Sequence, residues 1–195
     1  MPDAGRIIAG TARGIRLDAP GEGTRPLADR VKETLFGILE GAGLAPWPAP
    51  FLDLFAGSGA GGIEALSRGA PRATFVERDR RAVTVIATNL ARARLSQGAT
   101  IVGRDAIGFL QEAPEVAGAF GAVLLDPPYG DATLLPALER LAEPGARWLA
   151  EDAVVVAKHF WRDAPPPRVG GLVTARSRRF GDTALTFYIR GADQP

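Results

Sequence analysis

Asp53-Leu54-Phe55-Ala56-Gly57-Ser58-Gly59-Ala60-Gly61-Gly62 is a strand end that runs through a glycine-rich turn into a helix, and the fold is read outward from it. Gly57, Gly59 and Gly62 stand in Gly-x-Gly-x-x-Gly spacing, which lets backbone approach a nucleoside while the next helix aims its N-terminus at the ligand. Alone, this turn suits a nicotinamide dinucleotide about as well. Around it, apolar stretches at 51–55, 73–77, 99–102, 121–126 and 153–158 alternate with helical patterns at 59–68, 80–94, 105–112 and 133–142. Such alternation predicts an α/β fold, a mostly parallel sheet with helices on both faces.

The ends of the chain differ in character. Pro165-Pro166-Pro167 blocks a long helix, and 172–178 with 184–189 reads as an antiparallel C-terminal hairpin turned at Gly181-Asp182. That hairpin is foreign to the ordinary dinucleotide-binding arrangement. At the N-terminus, 6–10 and 14–17 read as two strands of a small hairpin. A helix then begins near Pro26 or Leu27, with Val31, Leu35, Ile38 and Leu39 on one face, and ends at Gly41 and Gly43. A proline-rich linker, 46–50, follows. The expected organisation is an N-terminal hairpin and helix over 1–45 appended to a core over 46–195, one domain overall.

Composition narrows the chemistry. The 195 residues, 46% hydrophobic, suffice for one well-filled core. There is no cysteine, which excludes disulfides, zinc–thiolate sites and a cysteine nucleophile, and the single histidine, His159, leaves no expectation of a metal centre. A net charge of +1 means that any nucleic-acid surface is local. Lys32 and Lys158 are the only lysines, so the basic residues are otherwise arginine, a bias that fits phosphate recognition or genomic base composition. No apolar run reaches the roughly 18 residues of a membrane span and no signal core opens the chain, so a cytoplasmic protein is expected.

The strand ends carry the candidate chemistry. Asp53 could order the glycine turn or reach a cofactor amino group through water. Glu77 ends its strand about 20 residues after the first glycine, where an acid meets ribose hydroxyls. Asp79 is the alternative, although its position suits a helix cap. Asp105 and the Ala106 amide could read an adenine edge, or Asp105 could simply cap the next helix. Asp126-Pro127-Pro128-Tyr129 closes an apolar strand. Its prolines remove two amide donors and stiffen the backbone. The Asp126 carboxylate and Pro127 carbonyl can then each take a hydrogen of a planar amino group, directing the nitrogen lone pair, while Tyr129 stacks on the base. A plain turn or a peptide-docking motif is the bland reading of Pro-Pro-Tyr. Glycine turn and acceptor motif together point to methyl transfer from S-adenosylmethionine to an exocyclic base nitrogen.

These residues resemble the S-adenosylmethionine-dependent methyltransferases of the Rossmann-like class, and more closely the RsmD-type family, which methylates a guanine N2 of 16S ribosomal RNA. The similarity runs through Arg6-Ile7-Ile8-Ala9-Gly10, Thr24-Arg25-Pro26, Asp29 to Phe36, Asp53 to Gly59, Glu64 to Ala70, Val76 to Asp79, Asp126 to Tyr129, and Phe180 to Ala184. It implies a cofactor site built from Arg25, Asp53, Phe55, Ala56, Gly57, Gly59, Glu77, Arg78, Asp105 and Ala106, with Arg25 against the methionine carboxylate. It implies an acceptor site of Asp126, Pro127, Pro128 and Tyr129. Leu27 stands where the family usually has threonine, and Tyr129 where it often has phenylalanine.

The expected partner is 16S rRNA, bare or within an assembling small subunit, and the expected state a monomer. Arg6, Arg13 and Arg30 near the start, with Arg176, Arg178 and Arg179 near the end, are candidates for a phosphate-binding rim. Three other readings stay open on residues alone: an adenine-N6 methyltransferase on DNA or RNA, a nicotinamide-dependent oxidoreductase, and a catalytically silent RNA-binding module.

Overall fold

The computed structural model describes residues 3–21, 27–44, 47–112, 114 and 119–191. Strands β1 (Asp3–Arg6) and β2 (Arg16–Asp18) form a small antiparallel hairpin, followed by helix α1 (Asp29–Leu39). The main sheet then builds as β3 (Phe51–Leu54), α2 (Ala60–Ser67), β4 (Ala73–Val76), α3 (Arg80–Ala93), β5 (Ala99–Val102), α4 (Ala106–Leu110), β6 (Phe120–Leu125), α5 (Leu134–Ala142) and β7 (Leu149–Phe160). Three strands finish it: β8 (Arg168–Val169), β9 (Leu172–Phe180) and β10 (Thr183–Arg190). The order across the sheet is β5-β4-β3-β6-β7-β10-β9-β8. The first five are parallel, β10 runs antiparallel between β7 and β9, and β8 pairs antiparallel to β9. The chain winds outward from β3 to β5 and returns to β6, so the strand order reverses between β3 and β6, where ligands lodge in open α/β sheets.

Each strand presents alternate residues to two apolar layers. Phe51 and Leu124 pack on one face with Leu35, Phe36, Ile63, Phe75 and Ile86. Leu52 and Leu125 pack on the other with Leu138 and Tyr188. Ala4, Ile7, Leu17 and Leu27 belong to the first layer, so the N-terminal elements share its core. Polar bonds fix that docking. Glu64, fully buried on α2, accepts from Ile8 N (2.7 Å), Ala9 N (3.0 Å) and Arg68 Nε (2.7 Å). Gly10 has φ +81°, and a Cβ there would lie 1.7 Å from the Ser67 carbonyl oxygen, so only glycine permits this approach. Asn89 on α3 exchanges hydrogen bonds of 2.9 Å with the Asp18 backbone and also donates to Ser58 O in the glycine turn at 3.0 Å.

Several expectations shift. The first hairpin strand lies at Asp3–Arg6 rather than 6–10, because Gly10 and its neighbours turn onto α2. On α1 the buried set is Val31, Lys32, Leu35, Phe36 and Leu39, with Ile38 only partly covered. Lys32 is tolerated because its ammonium bonds Arg6 O and faces Asp29 at 3.5 Å. Strand β7 is twice the length of the expected 153–158, and the two-residue β8 lies just after the prolines at 165–167, where no strand is expected. The loop around Arg25 and the start of the linker at 45–46 lie outside the described residues.

Candidate active site

A cavity of about 870 Å³ opens at the C-terminal ends of β3, β4, β5 and β6, within the roughly 300–1,000 Å³ of small-molecule sites. The expected cofactor residues Asp53, Phe55, Ala56, Gly57, Glu77, Arg78, Asp105 and Ala106 all line it, as do all four residues of the acceptor motif. Leu27 also reaches its wall. Gly59 does not. It turns into the helix at φ +78°, where a Cβ would press on Ile63 and Ile86 at 3.2–3.3 Å. Gly62 similarly serves packing, since a Cβ would come 2.3 Å from the Phe75 ring. The turn itself holds Phe55 at φ +66°, a conformation that non-glycine residues rarely adopt and that functional loops tend to retain.

Two carboxylates hold this turn. Asp53, 2% exposed, accepts from Gly62 N at 2.7 Å and so anchors the first turn of α2. Burial pushes its carboxyl well above the ordinary value, opposed by the Gly62 bond and reinforced by the nearby Asp126 and Glu77 charges. Glu77 accepts from Gly57 N and Asp79 N, each at 2.8 Å, bracing the glycine turn against the β4 loop while it faces the cavity. Asp79 caps α3 through Arg81 N (2.9 Å), and Asp105 caps α4 through Gly108 N (2.7 Å). The cap role foreseen for each is therefore present, although Asp105 also borders the cavity. Arg78 is largely exposed and faces Asp131 at 3.8 Å.

On β6, Asp126 N still bonds Leu54 O at 3.4 Å, so the acceptor motif leaves the sheet directly beside the end of β3. The Pro128 carbonyl closes a turn with Asp131 N (3.0 Å), while no donor among the described residues bonds the Pro127 carbonyl. The Tyr129 hydroxyl bonds Thr183 Oγ1 on β10, and its ring tilts against Phe160 at 6.2 Å. Lys158, buried on β7, is the residue that the motif reading missed. Its ammonium bonds Asp126 Oδ1 and lies 5.2 Å from the centre of the Tyr129 ring. Burial pushes the Asp126 carboxyl above its ordinary value against the pull of that ammonium. The one hint in the sequence is that Lys158 is one of only two lysines in a chain otherwise supplied with arginine.

The candidate rim divides. Arg6 pairs with Asp29 at 3.0 Å, whereas Arg13 and Arg30 are exposed without an ion pair among the described residues. Strand alternation sets Arg176 and Arg178 on one face of β9 and Arg179 on the other. Among the described residues no cluster of metal-ligating side chains is present.

The family model described as conserved hypothetical protein 95 matches residues 5–189. The YlbH protein of Bacillus subtilis (strain 168) is 37% identical over 190 residues, covering 94% of this chain and 97% of that one. Ribosomal RNA small subunit methyltransferase D of Escherichia coli (strain K12) is 34% identical over 194 residues, covering 96% of this chain and 90% of that one. The solved structure of the Escherichia coli protein yhhF superposes with a TM-score of 0.80 at 34% identity, covering 96% of this chain and 98% of that chain.

Proposed function

Because the chain belongs to the family of conserved hypothetical protein 95, RsmD-type methyltransferases, we propose that it transfers a methyl group from S-adenosylmethionine to the exocyclic N2 of a guanine in 16S ribosomal RNA. The observation that carries this reading is the meeting of two residue sets at the β3–β6 reversal. Asp53, Gly57 and Glu77 stand on the cofactor side, and Asp126 and Pro127 on the acceptor side, of one cavity.

The cavity fits the cofactor by size and by its donor set. We assign Glu77 to the ribose hydroxyls and Asp105 with the Ala106 amide to the adenine edge, supported by their positions on the cavity wall; Arg25 is assigned to the methionine carboxylate by resemblance. When bound, S-adenosylmethionine supplies an electrophilic methyl on its sulfonium. Lys158 occupies Asp126 Oδ1, which leaves Oδ2 to accept one amino hydrogen while the Pro127 carbonyl accepts the other. Two fixed acceptors tilt the nitrogen lone pair out of conjugation and toward the methyl, a contribution of orientation and electrostatics. The proton that the nitrogen sheds passes to the Asp126 carboxylate and on to solvent. Tyr129, tied to β10 through Thr183, stacks on the base.

No described helix is long and apolar enough to cross a membrane. Action in the cytoplasm, as a monomer, on an assembling small subunit, with 1–45 appended to a 46–195 catalytic core, completes the proposal. Labelled methyl transfer to rRNA from a deletion strain, followed by nucleoside mapping, tests it. N2-methylguanine restored at one 16S position is the expected result; N6-methyladenine, or no transfer despite cofactor binding, rejects it.

A further inference from the structure

Beyond the acceptor motif, the same end of the sheet carries a group of residues that the chemistry above leaves unused. Trp161 follows the last residue of β7. The guanidinium carbon of Arg179 lies 3.6 Å from its ring centre, and that of Arg162 lies 4.8 Å from it. One indole thus holds two cations, and among the described residues neither has an ion-pair partner, whereas Arg6, Arg68 and Arg92 each pair with a carboxylate. Arg179 is further fixed by its Nε bond to Gly181 O at 2.8 Å in the β9–β10 turn. Both arginines are exposed, so their guanidiniums are open to an anion from solvent.

The ring series leads back to the reacting centre. Trp161 lies 6.3 Å from Phe160, and Phe160 lies 6.2 Å from Tyr129. On this side of the acceptor motif is a second cavity, of about 390 Å³, walled by Pro127, Pro128, Tyr129, Lys158, Phe160 and Pro166. The first four also wall the reaction cavity. The Pro-Pro-Tyr segment is therefore a partition between two cavities. Asp131 and Asp163 border the second one, which disfavours a phosphate inside it but not a base.

Resting on the methyltransferase reading, we propose that this second cavity seats the base next to the target guanine, with the phosphodiester beside it bound across Arg162 and Arg179. A target base can reach Asp126 only when swung out of its stack, which leaves its neighbour without a stacking partner. Proline faces and the Phe160 and Tyr129 rings supply one. Aromatic stacking of this kind is sequence-tolerant, and the guanidiniums add the backbone charge term. An acidic peptide would satisfy the arginines but would leave the rings leading from Tyr129 without a role, so unpaired RNA is the occupant.

The test is single-turnover methyl transfer by the full chain to a partly assembled small subunit, across RNA concentration and salt. R162Q/R179Q should raise the RNA concentration for half-maximal transfer about tenfold or more. It should also make the logarithmic salt slope shallower by about 0.7 to 0.9, the value for one lost phosphate contact. Cofactor affinity and the rate at saturating RNA should not change. R162K/R179K keeps the charge and should keep most of the slope. R72Q/R147Q removes equal charge from exposed positions that precede β4 and β7, at the opposite end of the sheet, and should leave the slope as in the wild type. A slope for R162Q/R179Q equal to that of the wild type or of R72Q/R147Q overturns the inference. Wild-type protein that binds cofactor yet methylates no RNA instead overturns the functional reading beneath it.

Discussion

Lys158 on β7 and Asp126, just past the end of β6, form a partly buried ion pair between adjacent parallel strands, with the ammonium also above the Tyr129 ring. The acceptor carboxylate is thereby held in one rotamer, and the ammonium opposes the burial that raises its carboxyl above the ordinary value. Lys158 is the cation that offsets the Asp126 charge.

Lys158→Met should therefore shift the acid limb of the single-turnover pH profile to higher pH, because burial then raises the Asp126 carboxyl unopposed. At neutral pH the rate should drop roughly tenfold or more and recover partly in alkaline buffer. Lys158→Arg should restore much of it. A pH profile identical to the wild type in a folded Lys158→Met protein would remove Lys158 from the acceptor site.

Asp126→Ala separates acceptor chemistry from cofactor binding. Methyl transfer should fall about 100-fold or more, since a group that orients the reacting nitrogen is lost, while S-adenosylmethionine affinity stays close to wild type. Calorimetry beside single-turnover kinetics decides it; near-normal turnover would refute the assigned geometry.

Tyr129→Phe keeps the stacking ring and loses the bond to Thr183, so most activity should survive, with a stability cost of about 0.5 to 1.5 kcal/mol. Tyr129→Ala should lose activity strongly. Equal losses in the two variants would place the hydroxyl, not the ring, at the centre of its role.

Glu77→Ala should raise the cofactor dissociation constant roughly tenfold or more, the effect of one hydrogen bond to a charged group. The variant also strips acceptors from Gly57 N and Asp79 N, so Glu77→Gln, which keeps an oxygen for the turn, should fall between it and the wild type. Unchanged affinity in both would exclude the ribose role.

Asp53 should make the protein less stable as pH rises. Its folded-state carboxyl is raised by burial, so the folded protein keeps a proton that the unfolded chain releases above its ordinary value of 3.8, and stability declines from there as pH climbs toward the raised value. Asp53→Asn retains an acceptor for Gly62 N without the charge. Its melting temperature should exceed the wild type's more at neutral than at acidic pH; a constant difference across pH would contradict a buried, proton-holding Asp53.

Much of this molecule was legible because its signals are local. The glycine turn needs backbone conformations that side chains forbid, the prolines of Asp126 to Tyr129 mark a strand end, and strands such as β5 announce themselves by apolar runs. Lys158 was not legible in the same way. Its partner is 32 residues away and becomes a neighbour only through strand pairing, which a linear pattern does not reveal. The same holds for the Trp161 stack with Arg179, joined across the β7–β10–β9 order. The length of β7 was hidden by Glu151 and Asp152, exposed residues that interrupt its apolar run before the buried stretch begins. Gly59 looked like a cofactor contact because the spacing rule does not say which glycine meets ligand and which meets Ile86.

The seam at Glu64 sets a schedule for synthesis. Ile8 N waits for an acceptor 56 residues later, and Asp18 N for Asn89, 71 residues later. The segment carrying Ile8 and Asp18 is thus unable to complete these hydrogen bonds until α3 has followed it out. It is made before α3 and finished after it, and the glycine turn, tied through Ser58 to the same Asn89, is completed in that step.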